Sequence, residues 1–458
     1  MKRFFLLLFL LGTCAFPLSA AASTPNVVIF LVDDMGWGDL GCYGNEVIQS
    51  PNLDKFATEG IRFTQCYSAC GVCSPSRSAI LTGRTPYRNG VWRWIPGGHA
   101  CHLRESEITL PELLRKAGYD TCHVGKWHLN GHFNSDKQPQ PHDHGYNHWM
   151  ATQNNAAPSH KNPRNFVLNG EPLGELQGFS APLVAGEGVR WLKEVRDPEK
   201  PFLLSVWTHE PHLPIESAEQ FMKPYGNIED EGIRQYYGNI TQLDHAFGIV
   251  LKALEDLGLR NDTIVFFTSD NGPEGRGNRG RTRGSTGGLR GRKRDSHEGG
   301  IRVAGLARWP GKIMPGSVSD VPVIGSDIFS TVLDITGIPL PSDRTIDGVS
   351  MVPAFDDKQL QRPVPLFWRN HIAPASSHAA LRIGDWKLIA NQSFDKFQLY
   401  DIQRDWREEQ DLASEKSAKL SEMKKVFFEV LDGIEKEGPS EWWEKEPPRG
   451  RTSPKKRK

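Results

Sequence analysis

The sequence predicts an α/β fold that contains a doubly wound, mixed sheet and a smaller C-terminal α+β subdomain. Three observations support this prediction: apolar runs that stop abruptly at polar residues, helical spacing of apolar residues between two such runs, and shorter patterned segments towards the C terminus. A chain of 458 residues is long enough for one large domain and a smaller one. Because 55 lysines and arginines balance 55 aspartates and glutamates, the overall charge favours neither a nucleic-acid nor a membrane partner.

Three apolar runs predict strands that are buried on both faces, because polar residues hardly interrupt their β-branched, leucine and aromatic side chains. They are VVIFLV within residues 26–32, FLLSVW within residues 201–212, which Ser205 alone interrupts, and IVFF within residues 263–272. Each run ends in polar residues. A fourth strand is expected in YDTCHVGKWH, residues 119–128, where it leads into a loop.

Two helices are predicted between these strands. PELLRKAG, residues 111–118, is a short amphipathic segment that Thr109 opens and Gly118 closes. Between residues 239 and 257, apolar residues recur at helical spacing; they are Ile240, Leu243, Phe247, Val250, Leu251 and Leu254. The alternation of strand, helix and strand predicts the doubly wound sheet, in which ligands bind beyond the carboxyl ends of the strands.

The carboxyl ends of the predicted strands carry polar residues that could form one site. They are Asp33, Asp34, Lys126, His128, His209, Asp270 and Asn271. Three carboxylates and an amide offer oxygen ligands, which favour Ca²⁺ or Mg²⁺ over zinc. Either acidic pair alone could be a helix cap or a turn, but two pairs after two buried strands favour a metal site.

Beyond Asp347 the segments of regular pattern in the sequence become shorter. LRIGDWKLIA and FQLYDI predict short strands, and residues 418–434 form an amphipathic helical pattern. We therefore expect an antiparallel sheet with one packing helix in a subdomain at residues 351–445, after a larger domain at residues 23–350. A basic, disordered tail is expected at residues 446–458.

The first 22 residues predict a secretory signal peptide, because Lys2 and Arg3 precede an apolar core and small residues follow it. The alternative is a lipoprotein cleavage box, LGTC at residues 11–14, although Thr13 is bulky for the position before the cysteine. No later apolar run is long enough to span a bilayer. We expect an exported protein, secreted or periplasmic, with no membrane span.

Cys73 lies in GVCSPSRSAILTG, residues 71–83, and permits three interpretations. Export would leave six of the seven cysteines in an oxidising compartment, where they could form disulfides. Cys70 and Cys73 could instead be half of a zinc site, but no second Cys-x-x-Cys or His-x₃-His pair completes it. Cys73 could also be a catalytic centre.

CSPSR, residues 73–77, resembles the signature of the formylglycine-dependent (type I) sulfatases, and GYDTCHVGKWH, residues 118–128, resembles that family's second signature. The resemblance extends from about residue 26 to the C-terminal GDWKLI and LYDI segments. It implies an α/β fold of alkaline-phosphatase type. It also implies that a formylglycine-generating maturation enzyme reads the Cys-x-Pro-x-Arg segment, so Cys73 is expected to be the precursor of formylglycine.

The resemblance further implies a role for each polar residue of the site. The ligands of Ca²⁺, or of Mg²⁺, would be Asp33, Asp34, Cys73, Asp270 and Asn271. Lys126 and Lys293 would bind the sulfate, and Arg77 would hold the hydrated aldehyde. His209 would be the acid that protonates the leaving alcohol, and His128 the base. Lys293 is assigned by its distance from EGG at residues 298–300, and its neighbours Arg292 and Arg294 leave that assignment open.

The expected activity is removal of sulfate from a sulfated sugar or polysaccharide. Residues 274–294 contain eight basic residues and one acid, a composition that suits a polyanionic ligand. A phosphate or phosphonate ester hydrolase on the same fold is the alternative, although a phosphatase would need a Ser or Thr nucleophile or a second metal cluster. Residues 274–294, which we call the Arg/Gly region, could instead bind nucleic acid; export and zero net charge count against this third hypothesis.

Overall fold

A computed structural model of the chain describes residues 24–274 and 283–439. The predicted signal peptide at residues 1–22 and the predicted tail at residues 446–458 lie outside the described residues, as do residues 275–282 of the Arg/Gly region. Among the helices of the described ranges, none combines the length and the apolar character that crossing a membrane requires.

The strands and helices have the following bounds. The strands are β1 (Asn26–Val32), β2 (Ile61–Tyr67), β3 (Asp120–Lys126), β4 (His148–Thr152), β5 (Val167–Leu168), β6 (Glu171–Pro172), β7 (Phe202–Trp207), β8 (Thr263–Ser269), β9 (Arg302–Arg308), β10 (Ser317–Ser319), β11 (Val323–Ile324), β12 (Leu366–Arg369), β13 (Ala379–Ile383), β14 (Trp386–Ala390) and β15 (Phe397–Asp401). The α-helices are α1 (Pro51–Glu59), α2 (Cys73–Thr82), α3 (Pro86–Asn89), α4 (Leu110–Lys116), α5 (Ser180–Arg190), α6 (Glu219–Met222), α7 (Glu231–Asp256), α8 (Glu298–Ile301), α9 (Asp327–Thr336) and α10 (Ser417–Glu437).

The larger sheet is mixed and has eleven strands in the described part of the chain, in the order β10-β2-β9-β8-β1-β7-β3-β4-β5-β6, with β11 paired to β2. Its centre is parallel, because β8, β1, β7, β3 and β4 run in the same direction. β9 runs antiparallel to both of its neighbours, β8 and β2. The predicted doubly wound, mixed sheet is confirmed.

β1 shows why the central strands are apolar throughout. Phe30 belongs to the hydrophobic cluster on the α7 side of the sheet, where its ring packs edge-on against Phe247 at 5.0 Å between centroids. Ile29 and Leu31 belong to the opposite cluster, which contains residues of α4 and α9. Because helices cover both faces, alternating positions of the strand all require apolar side chains.

The two predicted helices are present, with one difference in length. At α4, the backbone N–H of Thr109 donates to the Glu112 carboxylate at 2.9 Å, so Thr109 caps the helix as predicted. α7 begins at Glu231, eight residues before the predicted start. The Asp230 carboxylate accepts the N–H of Ile233 at 3.1 Å, and this cap extends the helix through a segment whose apolar spacing is weak.

The predicted C-terminal α+β subdomain is confirmed. β12, β13, β14 and β15 form a four-stranded antiparallel sheet, and α10 packs against it. The ring of Phe427 in α10 lies 5.6 Å from that of Phe367 and 5.8 Å from that of Phe397.

A buried ionic cluster connects this subdomain to the larger sheet. The Lys387 ammonium in β14 lies 2.8 Å from a carboxylate oxygen of Glu298, just before β9, and 2.8 Å from one of Glu408. The hydroxyl of Tyr67 donates to the other Glu298 oxygen at 2.7 Å. All of these side chains are buried, so each charge depends on its partners rather than on water.

Replacing Lys387 by Met should lower the free energy of unfolding by about 3–5 kcal/mol, because it leaves the buried carboxylate of Glu408 without its ion-pair partner and removes the nearer cation from Glu298, which keeps Arg302 at 3.4 Å. Urea unfolding followed by circular dichroism measures the change. Lys252→Met is the control, since it breaks an exposed ion pair with Asp256 and should leave the unfolding midpoint unchanged. Equal midpoints for Lys387→Met and the unsubstituted protein would contradict the prediction.

Candidate active site

The carboxyl ends of four adjacent parallel strands bring the predicted polar residues together. Asp33 and Asp34 follow β1, and Asp270 and Asn271 follow β8. Lys126 is the last residue of β3, and His209 lies two residues beyond β7. All of these residues are buried, as are His128 and Lys293.

Cys73 is the first residue of α2 and is fully buried. Burial raises the pKa of its thiol, and the neighbouring Lys126 and Lys293 only partly offset this effect. All six described cysteines are free, so the disulfide interpretation of Cys73 is wrong for this structure. The zinc interpretation is not supported either, because the Cys70 thiol donates to the carbonyl of Arg369 at 3.5 Å, and Cys70 is not among the metal-ligating neighbours of Cys73.

Two lysines contact the acidic pair that follows β1. The Lys126 ammonium donates to Asp33 Oδ2 at 2.6 Å, and the Lys293 ammonium donates to both oxygens of Asp34, at 2.5 and 2.7 Å. The guanidinium of Arg294 instead pairs with Glu274, and that of Arg292 donates to backbone carbonyls. Among Arg292, Lys293 and Arg294, Lys293 is therefore the residue whose side chain reaches the acidic pair.

Arg77 forms hydrogen bonds at the ends of both β8 and β3. Its Nε and Nη2 donate to Asp270 Oδ2 at 3.1 and 2.8 Å, while Nη1 donates to the backbone carbonyl of Lys126 at 2.9 Å. Its guanidinium also lies 5.4 Å from the ring centroid of Trp207. These contacts fix the direction of Asp270 and leave the arginine itself inaccessible to solvent.

The acidic residues strongly influence one another. Burial and the adjacent Asp33 together raise the pKa of Asp270 to about 7, because Arg77 only partly offsets them. For Asp33, burial also raises the pKa, but Lys126, His212 and Arg77 together hold it well below its usual range. Three carboxylates packed this closely favour additional positive charge at the site.

The residues present fit a divalent cation. Asp33 Oδ1 and Asn271 Oδ1 are buried and have no hydrogen-bond partner in the described part of the chain. Ligand atoms of Asp33, Asp34, Cys73 and His212 all lie within 4.8 Å of one another. Buried oxygens without a donor carry an energetic cost that a bound cation would relieve, and a donor set rich in oxygen suits Ca²⁺ or Mg²⁺.

His128 and His209 are the histidines predicted to be catalytic. Backbone carbonyls determine which ring nitrogen of each carries the proton. His128 Nε2 lies 3.0 Å from the carbonyl of Ile95, which can only accept, so Nε2 carries the proton and Nδ1 a lone pair. Thr152 donates its hydroxyl proton to the carbonyl of Asn154 at 2.6 Å, so its oxygen accepts from His209 Nε2 at 2.8 Å. Burial lowers the pKa of both imidazoles well below the ordinary value, aided by Lys126 at His128 and by His160 at His209.

Two residues of the site were missed by sequence reasoning. His212 Nε2 lies 3.5 Å from Asp34 Oδ2, and the spacing of His209 and His212 in THEPH is the signal that could have suggested it. Thr152 ends β4, a strand that no long apolar run marks in the sequence. Its contact with His209 joins residues 57 positions apart.

Family models match most of the chain. The model described as "Sulfatase" matches residues 25–338, and the model described as "N-sulphoglucosamine sulphohydrolase, C-terminal" matches residues 291–435. These matches confirm the family that the CSPSR and GYDTCHVGKWH segments indicated.

Relatives and a solved structure agree with the family models. The chain is 37% identical over 382 residues to N-acetylgalactosamine-6-sulfatase of Homo sapiens, covering 76% of this chain and 69% of the relative. It is 35% identical over 360 residues to arylsulfatase A of Homo sapiens, covering 73% of this chain and 68% of the relative. The crystal structure of Ps i-CgsB in complex with k-i-k-neocarrahexaose has a TM-score of 0.79 at 24% identity and covers 90% of this chain and 93% of that one, which confirms the fold class. The chain belongs to the sulfatase family and is a sulfuric ester hydrolase.

Proposed function

We propose that the protein removes sulfate from a sulfated carbohydrate, using formylglycine formed from Cys73 and one bound Ca²⁺. The observation that carries this proposal is the position of Cys73 at the start of α2, within 4.8 Å of ligand atoms of Asp33, Asp34 and His212. N-acetylgalactosamine-6-sulfatase, the relative at 37% identity, is named for a sulfated sugar. A formylglycine-generating enzyme would be the partner that matures Cys73.

Asp33, Asp34, Asp270, Asn271 and the side chain at position 73 would hold the cation, and Mg²⁺ would fit the same donors. When bound, the cation supplies Lewis-acid polarisation of an oxygen at position 73. A hydrated aldehyde at that position supplies two hydroxyls on one carbon, one for displacement of the alcohol from sulfur and one for release of the sulfate.

The chain's own residues would hold and orient the anionic substrate. Lys126 and Lys293 are buried ammonium groups on either side of the acidic pair, and their positive charge would hold the sulfate oxygens. Arg77 would act by positioning Asp270 and the end of β3, because its guanidinium donates hydrogen bonds to the Asp270 carboxylate and to the carbonyl of Lys126.

The two histidines would move protons at their Nδ1 atoms. His128 Nδ1 has a lone pair and no hydrogen-bond partner among the described residues, which suits the base. His209 donates its Nε2 proton to Thr152, so as the acid it would deliver a second proton from Nδ1. The negative charge of a bound sulfate ester favours the imidazolium form that this role requires.

Replacing Thr152 by Val should lower kcat for a sulfated sugar by about 10–100-fold, because His209 loses the acceptor that orients its ring. Release from 4-nitrophenyl sulfate should change by less than about threefold, since that leaving group needs no proton. Thr152→Ser retains the hydroxyl and serves as the control. Equal losses on both substrates, or an equal loss in the serine variant, would contradict the acid role.

Two further proposals concern the organisation of the chain as a whole. Residues 1–22 would direct export, which would place the protein in the periplasm or outside the cell. The catalytic domain would occupy residues 23–350 and the smaller subdomain residues 351–445.

A panel of sulfated mono- and disaccharides, with matched phosphate and phosphonate esters, tests the proposed activity. The protein is produced together with a formylglycine-generating enzyme, and Cys73→Ala is assayed in parallel. Sulfate release from a sugar that is lost in the variant is the expected result. Turnover confined to phosphorus esters would overturn the proposed substrate and favour the phosphonate alternative.

A further inference from the structure

A groove of about 720 Å³ lies beside Lys293. One wall is the basic segment that contains Arg290, Arg292 and Arg294, and the other is formed by residues 372–377 of the C-terminal part of the chain. The second wall offers Ile372, Ala373 and Pro374, which are small or apolar. We call this feature the arginine groove.

Arg292 is held in place by backbone carbonyls and forms no ion pair in the described part of the chain, although its charge is close enough to the Asp39 carboxylate to lower the pKa of that group. Its Nε donates to the carbonyl of Glu274 at 2.9 Å, and its Nη2 donates to the carbonyl of Gly284 at 2.6 Å. Within residues 24–274 and 283–439, no carboxylate lies within 4.0 Å of its guanidinium, and Nη1 has no hydrogen-bond partner yet is not enclosed. Carbonyl acceptors orient a guanidinium and leave its charge available, which is the arrangement expected of an anion-binding arginine.

The other charged residues of the groove already have partners. Lys293 pairs with Asp34, and Arg294 pairs with Glu274. Asp295 is the carboxylate of the groove, and it accepts from the Ser377 hydroxyl at 2.6 Å and lies 2.7 Å from His297 Nδ1.

Arg290 adds to the positive charge of the groove. Its Nη1 donates to the Tyr400 hydroxyl at 3.0 Å and to the backbone carbonyl of Glu408 at 2.7 Å. Both acceptors are uncharged groups. Among the described basic residues of the arginine groove, Arg290 and Arg292 are therefore the two that form no ion pair.

We propose that the arginine groove binds a second anionic group of the substrate, a sulfate or a carboxylate on the same or the adjoining sugar ring, with Arg292 as the residue that recognises it. The proposal rests on the proposed function, because Lys293 borders the groove and would hold the sulfate that is cleaved. The small, apolar residues of the opposite wall leave room for a sugar ring between them and the arginines. The preferred substrate is then a sugar with at least two negative charges.

Arg292→Gln and Arg292→Lys distinguish the effect of the positive charge from that of the hydrogen bonds that hold the side chain. Glutamine keeps N–H donors but has no charge, whereas lysine keeps the charge but lacks the planar guanidinium. The matured variants are assayed on three sugars: a monosulfated one, its disulfated form, and its uronate-extended form. For Arg292→Gln, KM should rise by about 10–30-fold on the doubly charged sugars and by less than about twofold on the monosulfated sugar, with kcat unchanged. Arg292→Lys should retain much of the preference.

Arg164→Gln is the matched control, since it removes the same charge from an exposed arginine that pairs with Glu175. It should leave all three KM values unchanged. The disulfated and uronate sugars identify which anionic group the groove accepts, and a KM effect on either one supports the proposal.

Three results would overturn the proposal. Equal KM changes on singly and doubly charged sugars would show that Arg292 only holds its loop in place. Unchanged KM values in Arg292→Gln, with sulfate still released, would overturn this proposal and leave the proposed function standing. If the matured protein released sulfate from no sugar, the proposed function itself would fail, and this inference with it.

Discussion

The Cys73→Ser protein is expected to take up one sulfate group from a sulfated sugar and then stop. Serine offers one hydroxyl at position 73, so it can displace the alcohol from sulfur but has no second hydroxyl to expel the sulfate. Steady sulfate release should fall by at least about 10⁴-fold, and Cys73→Ala should show neither release nor uptake. Intact-protein mass spectrometry after incubation with substrate detects the retained sulfate group.

Cys101→Ala is the control for this prediction. Cys101 is buried like Cys73, but its thiol donates to the carbonyl of Gly90 and lies outside the acidic cluster. Its replacement should leave sulfate release largely intact. Sustained turnover by Cys73→Ala would contradict the role of position 73.

Replacing Asp33 by Asn should remove most of the protein's response to calcium. Asp33 places one oxygen on Lys126 and leaves the other buried without a partner, so the substitution removes a charged ligand from the centre of the cluster. At a calcium concentration of about 100 times Kd, binding should stabilise the unsubstituted protein by about 2.7 kcal/mol, which raises its melting temperature by several degrees. In Asp33→Asn that shift should largely disappear, and sulfate release should fall by roughly 10³-fold.

Asp244→Asn provides the comparison, because Asp244 is a buried carboxylate that accepts backbone and side-chain N–H groups at the start of α1. Its calcium-dependent shift should match that of the unsubstituted protein. A shift in Asp33→Asn as large as in the unsubstituted protein would contradict the assignment of the cation to this cluster. Thermal melts with and without a chelator measure the shift independently of activity.

The central strands could be predicted from local pattern, whereas β9 could not. β1, β7 and β8 are covered on both faces, so their sequences are nearly continuous apolar runs. β9 is equally buried but contains Arg302 and Arg308 at its ends. The Nε of Arg302 donates to the carbonyl of Thr64, and Arg308 pairs with Glu59, so both arginines have partners far away in the sequence. A strand whose polar residues are satisfied by distant partners has no local signature.

The same distinction applies to the site. Asp33, Asp34, Asp270 and Asn271 could be predicted to meet because the carboxyl ends of parallel strands share one edge of the sheet. The contact of Thr152 with His209 and the burial of Lys387 between Glu298 and Glu408 depend on the tertiary arrangement. No spacing or periodicity in the sequence encodes those pairs.

The measurement that tests the central claim most directly is sulfate release as a function of the fraction of Cys73 converted to formylglycine. Preparations made with increasing amounts of maturation enzyme are divided, and mass spectrometry of the peptide that contains position 73 gives the converted fraction. Sulfate release from the same samples should rise in proportion to that fraction and extrapolate to zero for unconverted protein. Release by unconverted protein at the rate of fully converted protein would contradict the claim that formylglycine at position 73 is the catalytic group.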